Sequence, residues 1–231
     1  DFVVFFIDEV NAEIGEQIVL LDLFAKKGCF ISDLDLSNYI KNTSLANWPT
    51  LSQAEASRFI LEQYSPTPKE GEPIVFIDHS FEVKGIGSVL LGLVHQGTVK
   101  VHDNLICYPS KKELEVKSIQ KNDQDVNEAF YTDRLGLGIR KLRSEDIERG
   151  SVISKKELQV VKEVENKIAY SKFASKDSTA LHAFHCLQAV PCTVKDNKIL
   201  FERELALVPG LPIVFCDLNK KLRVIGIIKV A

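Results

Sequence analysis

The segment LHAFHC places the imidazoles of His182 and His185 and the thiol of Cys186 close together. Imidazole and thiolate are ordinary zinc ligands, so a metal centre is the first chemistry to consider. The apolar residues around them alternate as a strand does, and in a strand residues three apart point to opposite faces. One inward and one outward histidine is therefore the expected arrangement, with no metal bound. Hydrolytic chemistry has no better footing, since the chain contains no G-x-S-x-G, no H-E-x-x-H and no paired catalytic carboxylates. No catalytic residue is assigned.

Nucleotide chemistry needs a G-x-x-x-x-G-K-[ST] loop, whose backbone amides cradle the phosphates while its lysine neutralises them. No such run occurs here. The guanine-reading N-K-x-D is expected in the strand after Gly28, where the chain offers FISDLDLS, so Asp33 and Asp35 are weak candidates without the Asn-Lys pair. No cofactor is expected within these residues, and GTP or GDP with Mg is expected only if a phosphate loop precedes Asp1. The chain contains no methionine, even at position 1, which reads as an internal piece or as a chain with residues missing.

The elements that must position any site follow from patterning. At 231 residues the chain has room for two or three domains. Its net charge of −3 excludes a uniformly basic nucleic-acid coat but not a local basic face. Five scattered cysteines without metal-ligand spacing read as the reduced thiols of a cytoplasmic protein. No apolar run is long enough to span a membrane, so no membrane partner is expected.

DFVVFFID is a continuous apolar run of the kind found in buried parallel strands. GEQIVLLDLFAKKG predicts a helix with Lys26 and Lys27 in its last turn and Gly28 as its stop, and CFISDLDLS a further strand and turn. LSQAEASRFILEQ predicts a second helix, opened by a capping box of Ser52 and Glu55. YSPTPKEGEP then marks a linker. Short strands follow at intervals of about ten residues, with Gly85, Gly87, Gly92 and Gly97 punctuating a run of Val and Leu. The expected organisation is multi-domain α/β plus all-β. A partial α/β unit at 1–65 and a linker at 66–73 lead to two antiparallel β-barrels at 74–155 and 156–231.

The stretch from Phe81 to Ser154 carries more than a generic barrel pattern. It runs in order through GIGSVLLG, HQGTVKVHDNL, VKSIQ, DRLGLGIR and IERGSVI. These segments resemble the second domain of the translational GTPase superfamily, the EF-Tu and SelB elongation factors. IDHSF and the short third segment resemble archaeal SelB-like factors, with an EF-Pyl type factor the nearest in pattern. The resemblance implies that residues 1–65 are the back half of a G domain and that KKLRVIGIIKV is the closing strand of the third domain.

It also implies roles for individual residues. Asp78, His79 and Phe81 fall where the family lines the pocket for the esterified amino acid, and Arg134 falls on the wall of that pocket. A guanidinium there favours a polar or anionic aminoacyl group. Gln120 stands at the position that faces the terminal adenosine of the tRNA. Arg149 matches the arginine near the 5′ phosphate of the acceptor stem, although its neighbour Glu148 gives it a second reading as half of a structural ion pair. Arg140, Lys141 and Arg143 extend the basic character of that region, whereas Ile86 stands where the family commonly has arginine.

The expected protein is a SelB-like or EF-Tu-like elongation factor that binds aminoacyl-tRNA and the ribosome under control of a GTP-binding domain, and not DNA. The rival readings are a degenerate non-GTPase paralogue that binds the ribosome or a protein, and an initiation-factor-two-gamma-like subunit.

Overall fold

The computed structural model describes residues 2–63 and 67–230. It divides into two compact units: Asp1–Thr67 with Lys167–Leu181 and Val214–Ile228, and Pro68–Asn166 with His182–Ile213 and Lys229–Ala231. Residues 64–66, at the start of the expected linker, lie outside the described residues.

In the first unit three strands, β1 (Phe2–Phe6), β2 (Lys27–Ile31) and β3 (Thr50–Leu51), form a parallel sheet in the order β1-β2-β3. Helices α1 (Ala12–Phe24), α2 (Ser37–Ile40) and α3 (Gln53–Gln63) connect or follow them. Phe5, Ile18, Phe30, Leu45 and Trp48 share one core. The capping box opens α3 as expected: the main-chain N–H of Ser52 donates to Glu55 Oε2 at 2.9 Å, and the Ser52 hydroxyl donates to the same oxygen at 2.6 Å.

The end of α1 differs from the sequence-based expectation. Ala25 adopts the left-handed conformation (φ 48°) and closes the helix, with its N–H bonded to the carbonyls of Leu21 and Asp22. Lys27 and Gly28 already belong to β2. Gly28 is required for close packing: a β carbon there would collide with the Val3 carbonyl and sit 2.6 Å from the Trp48 indole.

The remaining strands are β4 (Ile74–Val83), β5 (Gly87–Gln96), β6 (Thr98–Lys100), β7 (Asn104–Tyr108), β8 (Lys112–Lys121), β9 (Gln124–Val126), β10 (Glu128–Phe130), β11 (Arg134–Arg140) and β12 (Val152–Ser154), followed by β13 (Gln159–Glu165), β14 (Ala169–Tyr170), β15 (Ala180–His185), β16 (Gln188–Lys195), β17 (Lys198–Leu207), β18 (Pro212–Cys216) and β19 (Val224–Lys229). The order β11-β5-β4-β12-β7-β8 closes on itself through β8–β11 pairing, so six strands form a barrel, with β9 added at β8. Inward side chains such as Val75, Leu90, Leu114, Ile119 and Leu137 form its buried core. The last seven strands form a half-barrel in the order β13-β17-β16-β15-β18-β19-β14.

The histidines of β15 take opposite faces, His182 half-exposed and His185 fully buried. His185 belongs to the interior hydrogen bonding of the sheet: the Val208 N–H donates to its Nε2 at 2.8 Å, and its Nδ1 lies 3.1 Å from the Pro212 carbonyl. No helix among the described residues is long and apolar enough to cross a membrane.

Candidate functional site

The outer face of the closed barrel is organised by two irregularities in the pairing of β4 with β5. Along this strand Val75 and Ile77 point inward and pair with Val94 and Gly92, but the next pair is His79 with Leu91. Asp78 is therefore the extra residue of a β-bulge. A bulge re-aims the side chains that follow it, because one inserted residue exchanges inside for outside. Beyond Asp78 the outward residues are His79 and Phe81, while Ser80 turns in and donates to the carbonyls of Ser144 (3.0 Å) and Ile147 (2.7 Å). Gly92 permits the distortion, since a β carbon there would collide with the Phe76 carbonyl oxygen. The second irregularity lies between Ile74 and Val75 and leaves His95 of β5 outside the pairing. His95 stacks on Phe76 with ring centroids 4.6 Å apart, and burial together with Lys69 pushes its pKa down to about 4.

Strand register then sets three rows across this face. Phe76 pairs with Leu93 and Leu93 with Arg134; His79 pairs with Leu91, Leu91 with Gly136 and Gly136 with Gln120; Phe81 pairs with Val89, Val89 with Gly138 and Gly138 with Ser118. His79 and Gln120 are thus three strand spacings apart, about 14 Å, with apolar Leu91 and a bare glycine between them. At Gly136 a β carbon would meet only Leu91 Cδ2 at 3.6 Å and Gln120 Cβ at 3.9 Å, so its absence leaves a shallow depression. Leu91, Leu93 and Phe81 remain about 40% exposed, at 40%, 38% and 41%. The face therefore combines an apolar floor with a rim of His79, Gln120 and Arg134.

Of the residues expected from the sequence, His79, Phe81, Gln120 and Arg134 share this face. Arg134 has no hydrogen-bonding or ionic partner among the described residues, whereas Gln120 donates through Nε2 to Asp125 at 2.9 Å. Asp78 is shared between two neighbours. Its Oδ1 accepts from Nε of Arg149 at 3.1 Å, and its Oδ2 lies 3.1 Å from Nδ1 of His79. Arg149 is thereby tied to the bulge and not to Glu148. That carboxylate points away and pairs with Arg203 at 2.6 Å.

Arg140 and Arg143 lie elsewhere. Arg140 stands six residues along β11 from Arg134, about 20 Å away, and pairs with Glu115 at 3.3 Å. Arg143 pairs with Glu145 at 2.7 Å, and Lys141 donates to Asn104 at 2.6 Å. In the α/β unit, Oδ1 of Asp35 accepts from the Ser37 N–H at 3.0 Å at the start of α2, the Ser37 side chain first and this backbone bond second lower the Asp35 pKa, and Asp33 is exposed. Sequence reasoning missed the Asp78–Arg149 and Glu148–Arg203 pairs, since each joins residues far apart in the chain. It also missed the outward Leu91 and Leu93, although the alternation within SVLLGLV carried that signal.

Residues 87–154 match the family model described as elongation factor Tu domain 2. Over 98% of its length the chain is 34% identical to the protein MJ0325 of Methanocaldococcus jannaschii, covering 79% of that protein. A match at 35% identity to the selenocysteine-specific elongation factor of the same organism covers 53% of this chain and 27% of that one. Elongation factor 1-alpha of Pyrobaculum islandicum is 28% identical over 64% of this chain and 34% of its own. Among solved structures, the apo form of translation elongation factor SelB from Methanococcus maripaludis superposes with a TM-score of 0.79 at 21% identity, covering 98% of this chain and 64% of that one. The same factor in complex with the GTP analogue GppNHp gives 0.77. The chain thus spans between about a quarter and a half of the elongation factors matched by sequence and somewhat under two thirds of the SelB chain. It belongs to the translation-factor family of elongation factor Tu, SelB and elongation factor 1-alpha, in the group that includes MJ0325.

Proposed function

We propose that the protein is a SelB- and EF-Tu-like elongation factor that carries an aminoacyl-tRNA to the ribosome in the cytoplasm, with the outer face of the closed barrel holding the aminoacylated 3′ end. The observation that carries this reading is the register that sets His79, Leu91, Gly136 and Gln120 side by side, with Arg134 two residues from Gly136. An apolar floor takes a base or ribose face, a shallow glycine step admits a small group, and the polar rim supplies donors. Single-stranded RNA ends are recognised by that combination of stacking and edge hydrogen bonds. Arg134, unpartnered among the described residues, is available to a polar or anionic aminoacyl group. Arg149 supplies a fork for a backbone phosphate of the acceptor stem.

Control by GTP belongs to this reading as a property of a G domain accompanying these residues. No phosphate-cradling loop runs through this sequence, and Asp35 is engaged by the Ser37 N–H. That same observation favours the second reading, a paralogue that binds the ribosome or a protein without nucleotide.

Titration of charged and uncharged tRNA against Arg134→Ala and Arg149→Ala at two salt concentrations tests the proposal. Arg134→Ala is expected to weaken only charged tRNA. Arg149→Ala is expected to weaken both and to lower the salt slope by about one. Equal, salt-independent losses in all four titrations would show that both arginines serve the barrel alone.

A further inference from the structure

We infer that Asp78 competes with phosphate for Arg149, and so sets how tightly the acceptor end is held. The inference rests on the proposed reading that Arg149 meets a phosphate, and adds to it a residue that tunes the contact.

Three observations carry it. First, Arg149 is held through Nε alone, at 3.1 Å from Asp78 Oδ1, and among the described residues nothing else bonds its guanidinium. Both terminal nitrogens are therefore without a partner among the described residues, and they form the edge with which a guanidinium takes a phosphate bidentately. Second, the pair is exposed, at 70% for the Arg149 side chain and 31% for Asp78. Exposed pairs of this kind hold only weakly, so a phosphate exchanges with the carboxylate at little cost. Third, Asp78 is the extra residue of the bulge, and its second oxygen lies 3.1 Å from Nδ1 of His79, which pairs with it when that ring is protonated. A phosphate arriving at Arg149 thus meets a carboxylate within the same few ångströms. Like charges at that range oppose each other even in water.

Glu148 supplies the internal comparison. It is adjacent to Arg149 in sequence but engaged with Arg203, whose second Nη donates to the Ala189 carbonyl at 3.1 Å. A carboxylate next in sequence but directed elsewhere should not influence the phosphate.

The test uses the full chain and an acceptor-stem RNA hairpin prepared with and without its 5′ monophosphate. Asp78→Asn keeps the shape and the acceptor oxygen while removing the charge, and a thermal melt checks that the variant folds. It is expected to tighten the phosphorylated hairpin three- to tenfold and leave the dephosphorylated one unchanged. The gain should vanish in the Asp78→Asn, Arg149→Ala double variant, and Glu148→Gln should give none. A gain without the phosphate, or one that survives loss of Arg149, overturns the inference while leaving the RNA-binding reading intact. So does unchanged or weaker binding by Asp78→Asn when the parent binds well. No binding of either hairpin by any of the proteins overturns the reading, and the inference with it.

Discussion

Nε2 of His185 accepts a hydrogen bond from the main-chain N–H of Val208, which fixes the ring's only proton on Nδ1, facing the Pro212 carbonyl. Neutral imidazole is the one form that satisfies both partners. A second proton would set two donors against each other inside the sheet.

A pH dependence follows from this geometry. Burial lowers the His185 pKa, the Pro212 carbonyl opposing it more weakly, and the half-buried His95 is pushed down to about 4. Both histidines are neutral in the folded and unfolded chain well above an unfolded pKa of about 6.5. Below that value the unfolded chain gains protons that the folded one resists, so stability falls as pH drops from about 6.5 towards the folded values. Urea midpoints at pH 7.5 and 5.2 measure the loss. His185→Gln should be less stable at pH 7.5 but flatter between the two pH values. A slope equal to that of the parent chain would remove His185 from the account.

Gly92→Ala is expected to destabilise the barrel by about 1–3 kcal/mol, the usual range for forcing an extra carbon into a packed core. The new methyl would collide with the Phe76 carbonyl and lie 3.2 Å from Ile77 Cδ1. Because the strain falls on the bulge, RNA binding should suffer as well. A chemical melt within about 0.5 kcal/mol of the parent would mean that the strands shift there freely.

The thiols should be inert in the native chain. Cys29, Cys107, Cys192 and Cys216 are buried, and burial pushes Cys186 and Cys192 up to about 12 and Cys216 up to about 11. The thiolate is the reacting species, so a colorimetric thiol reagent at pH 8 should label none of these three rapidly, and all five cysteines once the chain is unfolded. Rapid native labelling of Cys192 would contradict its placement.

The legible parts of the fold were those written in local periodicity. The alternation from Ile74 onward, the capping box at Ser52 and Glu55, and the opposed faces of His182 and His185 all depend on residues within a few positions of each other. The bulge at Asp78 was not legible, because a single inserted residue leaves composition and mean spacing unchanged. Nor was the choice of partners by Glu148 and Arg149. These adjacent side chains bond to residues 55 and 71 positions away, Arg203 on β17 of the half-barrel and Asp78 on β4 of the closed barrel, and only the tertiary fold brings those residues near. The end of α1 was misplaced for a different reason: glycine commonly stops a helix, but Gly28 serves the contact between β2 and Trp48, and Ala25 adopts the strained backbone in its stead.

Closure of the six strands also bears on solubility. An open sheet that exposed Leu91 and Leu93 would offer apolar side chains beside unpaired backbone donors and acceptors, the combination that recruits strands from other molecules. Pairing of β8 with β11 removes those backbone groups from reach while leaving the side chains outward. The barrel can therefore keep a greasy face in water, open to a small ligand and closed to β-sheet growth.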